Sequence, residues 1–271
     1  AQPSVTAQIK NLEEDLGHPL FERLGRTVKL TPAGERLLVY ADRMMSLEAE
    51  ARDAILEEQE GCVTFDSAES ICAYRLPPLL KEFAEQWPRV RLRFDPGQTP
   101  DIRRRVREGA IDVAFVLETP FEDSGLIVEQ LRREPIVVLA GSGHRLASAQ
   151  TVQPVDLDGE QLLFTQLGCD YRNQFEAILI RAGIYPKTAI ELLSVETIKR
   201  CVAVGMGVTV LPEFAVTEEL RRGDLVCLAW DGPEIGVATH MVRSRTRRLT
   251  PAAEAFVELA RKTLSLEMET P

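Results

Sequence analysis

Residues 61–97 read GCVTFDSAESICAYRLPPLLKEFAEQWPRVRLRFDPG, and their texture decides the fold. GCVTFDS at 61–67 has the β-branched and apolar run of a strand. ESICAYRLPPLLKEFAEQWP at 69–88 reads as a helix, and VRLRFDPG at 90–97 as a second strand. Strands alternating with helices are what a doubly wound α/β fold requires. The alternation continues downstream. TPDIRRRVREGA is a helix, IDVAFVLE a strand, and LIVEQLRREPIVVLAG two further strands. A second unit begins near Ser142: GEQLLFTQLG is strand-like, YRNQFEAILIRAGI helical, AIELLS a strand, VETIKRCVAVGMG a helix and VTVLP a strand. GVATHMVRS then forms another strand, and TPAAEAFVELARKTLSL a closing helix. Two similar halves with the chain crossing twice between them leave a cleft.

Upstream of Gly61 the pattern is different. Thr31 to Glu60 contains no strand-like stretch, and TPAGE offers Thr31 as N-cap with Pro32 at the first helical position. Leu37, Ala41, Met44, Glu48, Ala51 and Ile55 alternate four and three apart, a heptad seam interrupted once by Glu48. With no neighbouring helix in sequence, this reads as a dimer-forming helix and not as a buried one. Before it, PLFERLGRTVKLT is a short two-stranded pattern turning near Gly25. In AQPSVTAQIKNLEEDLG, Val5, Ile9, Leu12 and Leu16 line one side of a helix, with Pro3 in its first turn and Gly17 at its end. That single apolar stripe needs a partner, so the helix is expected to be part of a small domain whose first portion precedes residue 1.

Composition narrows the function. The 271 residues carry a formal net charge of −10, which argues against broad polyanion binding. A locally basic module can still bind DNA, because phosphate contacts act within about 8 Å at physiological salt. The sequence shows no apolar run long enough for a membrane span and no signal-peptide pattern, so a cytoplasmic protein is expected. The five cysteines are dispersed without metal-ligand spacing, and His18, His144 and His240 stand far apart. No metal, cofactor or catalytic constellation is expected. Gly205 and Gly207 lack the spacing of a dinucleotide loop and read as close-packing positions.

The segment AQPSVTAQIKNLEEDLGHPLFERLGRTVKLTPAGERLL resembles the recognition helix and wing of LysR-type transcriptional regulators. AIDVAF, SVETIKRCVAVGMGVTVLP and the closing TPAAEAF resemble the effector domain of the same family, so the likeness spans nearly the whole chain. The resemblance implies a partial winged helix-turn-helix over 1–31, a linker and dimerisation helix over 32–60, and an effector-binding domain over 61–271. That domain would comprise two Rossmann-like lobes like a type II periplasmic binding protein. Lobe I would hold about 61–140 and 241–266, and lobe II about 141–240. The resemblance also implies operator DNA, a small-molecule effector, further copies of the chain as a homodimer or homotetramer, and RNA polymerase as a further partner. A few residues are expected to be absent around Glu60-Gly61, where the hinge of such proteins lies.

Residue chemistry supplies candidates at both ends. On the first helix and hairpin, Pro3, Ser4, Thr6 and Lys10 face away from the apolar stripe, Gln2 stands at the N-terminal end that such helices present to base edges, and Arg23, Arg26 and Lys29 sit on or near the hairpin. Gln2 suits adenine, Thr6 a phosphate or thymine methyl, and the cations suit phosphate or the minor groove. Ala7 stands where many relatives carry arginine. In the cleft, ligands are expected outside the carboxyl ends of strands, near helix N-termini. Ser67, Glu69 and Ser70 follow the first strand, and Gln98 and Thr99 the second. Cys169, Tyr171 and Arg172 open one helix of the other half, and Glu196 and Thr197 another. Capping alone would explain several of the hydroxyls. Arg172 favours a carboxylate or similar anion; Glu69 opposes one unless it caps its own helix or meets a cationic group on the ligand. Two other functions remain open here: a thiol switch between Cys169 and Cys201, and a solute-binding receptor.

Overall fold

The structure, a computed structural model, describes residues 5–24, 27–56, 61–94, 99–185 and 189–265. It divides into two units, Ala1–Gln59 and Glu60–Pro271. In the first, α1 (Val5–Leu16) leads into a hairpin of β1 (Phe21–Leu24) and β2 (Thr27–Leu30), followed by α2 (Pro32–Leu56). The hairpin pairs Phe21 with Leu30 and Leu24 with Thr27. Thr31 caps α2 as its position suggests, its hydroxyl accepting from Gly34 N–H at 3.0 Å and donating to the Pro19 carbonyl at 2.7 Å. Gly34 is needed for that approach, since a Cβ there would stand 2.2 Å from the Leu20 carbonyl oxygen. Leu20 is buried, whereas Val5, Leu12 and Leu16 of α1 remain exposed among the described residues.

The second unit contains, in order, β3 (Cys62–Ser67), α3 (Glu69–Tyr74), α4 (Leu76–Gln86), β4 (Arg91–Phe94), α5 (Thr99–Glu108), β5 (Val113–Glu118) and β6 (Leu126–Glu134). There follow β7 (Ile136–Gly141), β8 (Leu162–Phe164), α6 (Asp170–Arg181), β9 (Ala189–Glu191), α7 (Val195–Ala203) and β10 (Val208–Pro212). α8 (Thr217–Arg222), β11 (Leu225–Cys227), β12 (Val237–Ser244) and α9 (Pro251–Ser265) complete it. One sheet has the order β4-β3-β5-β12-β6, the other β11-β7-β10-β8-β9. In each, four strands run in one direction and one runs against them, β12 in the first sheet and β7 in the second. This is the two-lobed α/β fold expected from the strand–helix alternation.

Three details differ from the sequence reading. Residues 69–88 form two helices that break at Arg75, because Pro77 and Pro78 lack the N–H groups that would continue α3 and instead occupy the first turn of α4. The chain leaves the first sheet at Pro135, not near 140: β7 pairs with β10 and β11 in the second lobe. It returns before Val237, not at 241, and β12 lies between β5 and β6. Gly207 meets the close-packing expectation, since a Cβ would fall 2.1 Å from the Gln161 carbonyl oxygen. In the first lobe Phe256 of α9 packs against Phe83, Phe65 and Phe115 at centroid distances of 5.1, 5.6 and 6.3 Å.

Candidate functional site

A cavity of about 360 Å³ opens where the parallel strands of both lobes end. Ser67 closes β3, Phe94 closes β4, and Val116 and Leu117 lie at the end of β5. From the second lobe come Thr165 and Gln166 after β8, and Leu193 after β9. Three helix starts complete the wall: Glu69 and Ser70 on α3, Asp170 and Tyr171 on α6 beside Cys169, and Val195 on α7. This is the crevice position that open parallel sheets reserve for ligands, and its size suits a small metabolite.

Polar bridges hold the lobes around it. The Glu69 carboxylate accepts from Val195 N–H across the cleft, at 3.2 and 3.0 Å to its two oxygens. Asp170 Oδ2 accepts from Thr119 N–H at 2.5 Å. Beside the cavity the Tyr74 hydroxyl donates to Glu196 and accepts from Lys199 Nζ at 2.9 Å. Burial, and next the Glu196 bond, pushes the Tyr74 hydroxyl up to about 12. Lys199 is 3% exposed and also meets Glu196, Glu219 and the Ala215 carbonyl. Burial disfavours its charged form, but the bonds to Glu196, Tyr74 and Glu219 outweigh burial and hold the ammonium charged. Arg75 lies over the Phe214 ring at 4.4 Å while pairing with buried Glu134 at 2.9 Å.

Of the residues expected in the cleft, Ser67, Glu69, Ser70, Cys169 and Tyr171 line one cavity. Arg172 does not. One step beyond Tyr171 on α6 turns it about 100° away. Its guanidinium is buried against Glu191 at 2.8 Å, Glu176 at 3.2 Å, the Thr165 carbonyl and the Phe164 ring. Arg172 is therefore a structural residue of lobe II, and the anion partner expected of it is lost. Glu196 serves Tyr74 and Lys199 outside the lining, and Thr197 donates its N–H to the Ser194 cap at 3.5 Å. Gln98 lies outside the described residues, as does the side chain of Thr99. Thr165, Gln166 and Asp170 were missed. The first two follow β8 as Ser67 follows β3, so the strand-end rule applied to GEQLLFTQLG reaches them.

At the other end, Thr6 and Lys10 are exposed on α1, Lys10 beside Glu14 at 3.5 Å, and Lys29 is exposed on β2. Gln2, Pro3, Ser4 and Arg26 lie outside the described residues, as does the Arg23 side chain. Cys169, just before α6, and Cys201, on α7, are free thiols, and burial pushes the Cys169 thiol up, toward its unreactive protonated form. This does not favour a thiol switch. Among the described residues no helix is long and apolar enough to cross a membrane.

Known proteins carry the same layout. Residues 56–265 match the LysR substrate binding domain, and residues 1–35 match the bacterial regulatory helix-turn-helix protein, lysR family. The chain is 38% identical to the uncharacterized HTH-type transcriptional regulator YwqM of Bacillus subtilis (strain 168), over 97% of this chain and 90% of that protein. It is 31% identical to the transcriptional dual regulator GltC of the same organism, over 94% of this chain and 86% of that protein. A crystal structure of full-length CbnR with its target DNA shares the fold, with a TM-score of 0.70 at 21% identity, covering 97% of this chain and 90% of that one.

Proposed function

From the premise that the chain belongs to the LysR-type family of DNA-binding transcriptional regulators with an effector-binding domain, we propose how its parts divide the work. Residues 1–31 contact operator DNA, with Thr6, Lys10 and Lys29 joined by Gln2, Pro3, Ser4, Arg23 and Arg26. α2 pairs with α2 of a second copy, and the effector domains join such dimers into a tetramer. A small molecule enters the cavity between the lobes and is held by Ser67, Ser70, Thr165 and Tyr171. The protein acts in the cytoplasm, without catalysis, and RNA polymerase is its further partner at the promoter.

The observation that carries this reading is the shared wall. One cavity draws its lining from both lobes, and hydrogen bonds accepted by Glu69 and Asp170 cross between them. A ligand there contacts both lobes at once and so favours one lobe arrangement; it shifts the equilibrium only by its differential affinity for the two states. That shift passes along the chain to α2 and resets the spacing or bend of paired DNA-binding modules.

Ser67→Ala tests it. A metabolite fraction that raises the melting temperature of the full-length protein, as a ligand of the folded state must, should change its operator footprint. The Ser67→Ala protein should keep the ligand-free footprint and lose the change. A variant that loses DNA affinity but keeps the change in footprint would refute the assignment of this cavity.

A further inference from the structure

Each helix that starts at the cavity carries a carboxylate in its own first turn: Glu69 on α3, Asp170 on α6 and Glu196 on α7. Glu69 also takes the first N–H of α7 from across the cleft. The positive helix ends that would attract an anion are thus already met by the protein's own charges. The neighbouring cations are committed as well. Arg103 pairs with Glu118, Arg172 with Glu176 and Glu191, and Lys199 with Glu196 and Glu219. Among the described residues no arginine or lysine lines the cavity, whereas Glu69 and Asp170 both do, one from each lobe.

Neither carboxylate is saturated. A carboxylate offers about four acceptor sites; Glu69 meets Val195 N–H, and Asp170 meets Thr119 N–H and, at 3.5 Å, the Gln174 amide. The lining also holds Thr165, only 8% exposed, whose hydroxyl lies against the Cys169 thiol and the Tyr171 hydroxyl. The cavity therefore offers two carboxylates, one from each lobe, with acceptor sites to spare. The negative field reaches the wall: the Cys72 thiol is pushed up by burial first, then by Asp66 and Glu69.

Resting on the reading of this cavity as the effector site, we infer that the effector is a small organic cation. Its ammonium or amidinium group is held between Glu69 and Asp170 from opposite lobes, and its apolar body lies against Phe94, Leu117 and Leu193. An anion would instead bring a like charge to two carboxylates with no counter-ion in the wall.

The cysteines supply the test. The full chain is treated with two methanethiosulfonates of similar size, one bearing an ethyltrimethylammonium and one an ethylsulfonate, and labelling at each cysteine is followed by peptide mass spectrometry. Cys72 lines the cavity, and exposed Cys227 lies outside that lining, so it is the reference within the same molecule. The cation-to-anion rate ratio at Cys72 should exceed that at Cys227 by about tenfold or more. Glu69→Gln, which removes the charge and keeps an acceptor for Val195 N–H, should cut the excess, and adding Asp170→Asn should erase it. Equal ratios at Cys72 and Cys227 would overturn the charge inference and leave the site standing. Labelling of Cys227 with none at Cys72 by either reagent, even as the pH is raised to favour the thiolate that burial and Glu69 suppress, would show a cavity closed to small molecules and overturn both readings.

Discussion

The two units of this chain treat their apolar residues in opposite ways. In the effector domain Phe83, Phe115 and Phe256 are fully buried, and the second lobe hides Phe164 and Phe175 as completely. In the first unit Leu20 is buried, but Val5, Met44 and Met45 are more than 70% exposed and Leu47 is 65% exposed. A unit that buries its own core is stable alone. One that leaves such a stripe open draws stability from whatever covers it. For α2 the seam spacing of Leu37, Ala41 and Met44 points to a second copy of the same helix.

Three perturbations would break or sharpen that contrast. Phe256→Ala should have the largest effect, about 3–5 kcal/mol of effector-domain stability by loss of a buried ring, read from denaturant melts. It should leave the state of association of α2 unchanged wherever the domain still folds. Replacing Leu37 and Met44 together by glutamate should do the reverse, leaving the effector-domain melt alone while breaking the α2 pairing, so that the tetramer falls to dimers held by the effector domains. The accompanying loss of operator affinity should be on the order of 2–3 kcal/mol through lost bivalency. If sedimentation shows the double variant still tetrameric, the seam is misassigned. The smallest effect belongs to a surface pair on the effector domain, Arg261 with Glu129 at 2.6 and 2.9 Å. The bond to Arg261 holds the Glu129 carboxyl below its ordinary value. A lowered carboxylate contributes stability above its unfolded pKa, and that contribution disappears as pH falls through the folded one. Arg261→Gln should therefore cost less than about 1 kcal/mol near neutrality and show a shallower loss of stability below pH of about 4.5.

The sequence made some of this plain and hid the rest for physical reasons. Thr31, Pro32 and Gly17 act within a few residues of where they stand, so the boundaries of α1 and α2 could be read locally. The alternation of β3, α3–α4 and β4 was legible because each strand is a short apolar run between turn residues. The sheet to which a strand belongs is a long-range matter. LIVEQLRREPIVVLAG reads as two strands, but nothing within it says that the second pairs with β10, about seventy residues on. The cavity wall behaved likewise. Ser67, Glu69, Ser70, Cys169 and Tyr171 came from the rule of strand ends and helix starts, whereas the direction of Arg172 depended on Glu176 and Glu191, which the rule does not see. The proposed DNA contacts rest mainly on family likeness, since Thr6, Lys10 and Lys29 look like any solvated positions when taken singly.

The placement of β12 has a consequence for how the chain is made. β5 and β6 do not pair with each other; each pairs with β12, which the ribosome delivers last among the strands. The second lobe has all five of its strands once Cys227 has emerged, while the first lobe, begun far earlier, is still open between β5 and β6. The lobe encoded second is thus the first that can close its sheet, and the first must wait with a gap between β5 and the edge strand β6. Domains fold as units while synthesis proceeds at about 5–20 residues per second, so the interval is short but real. Chains stalled with residue 235 outside the tunnel should show amide protection in β10 and none in β6, and protection of β6 should arrive only when Val237–Ser244 has cleared the exit.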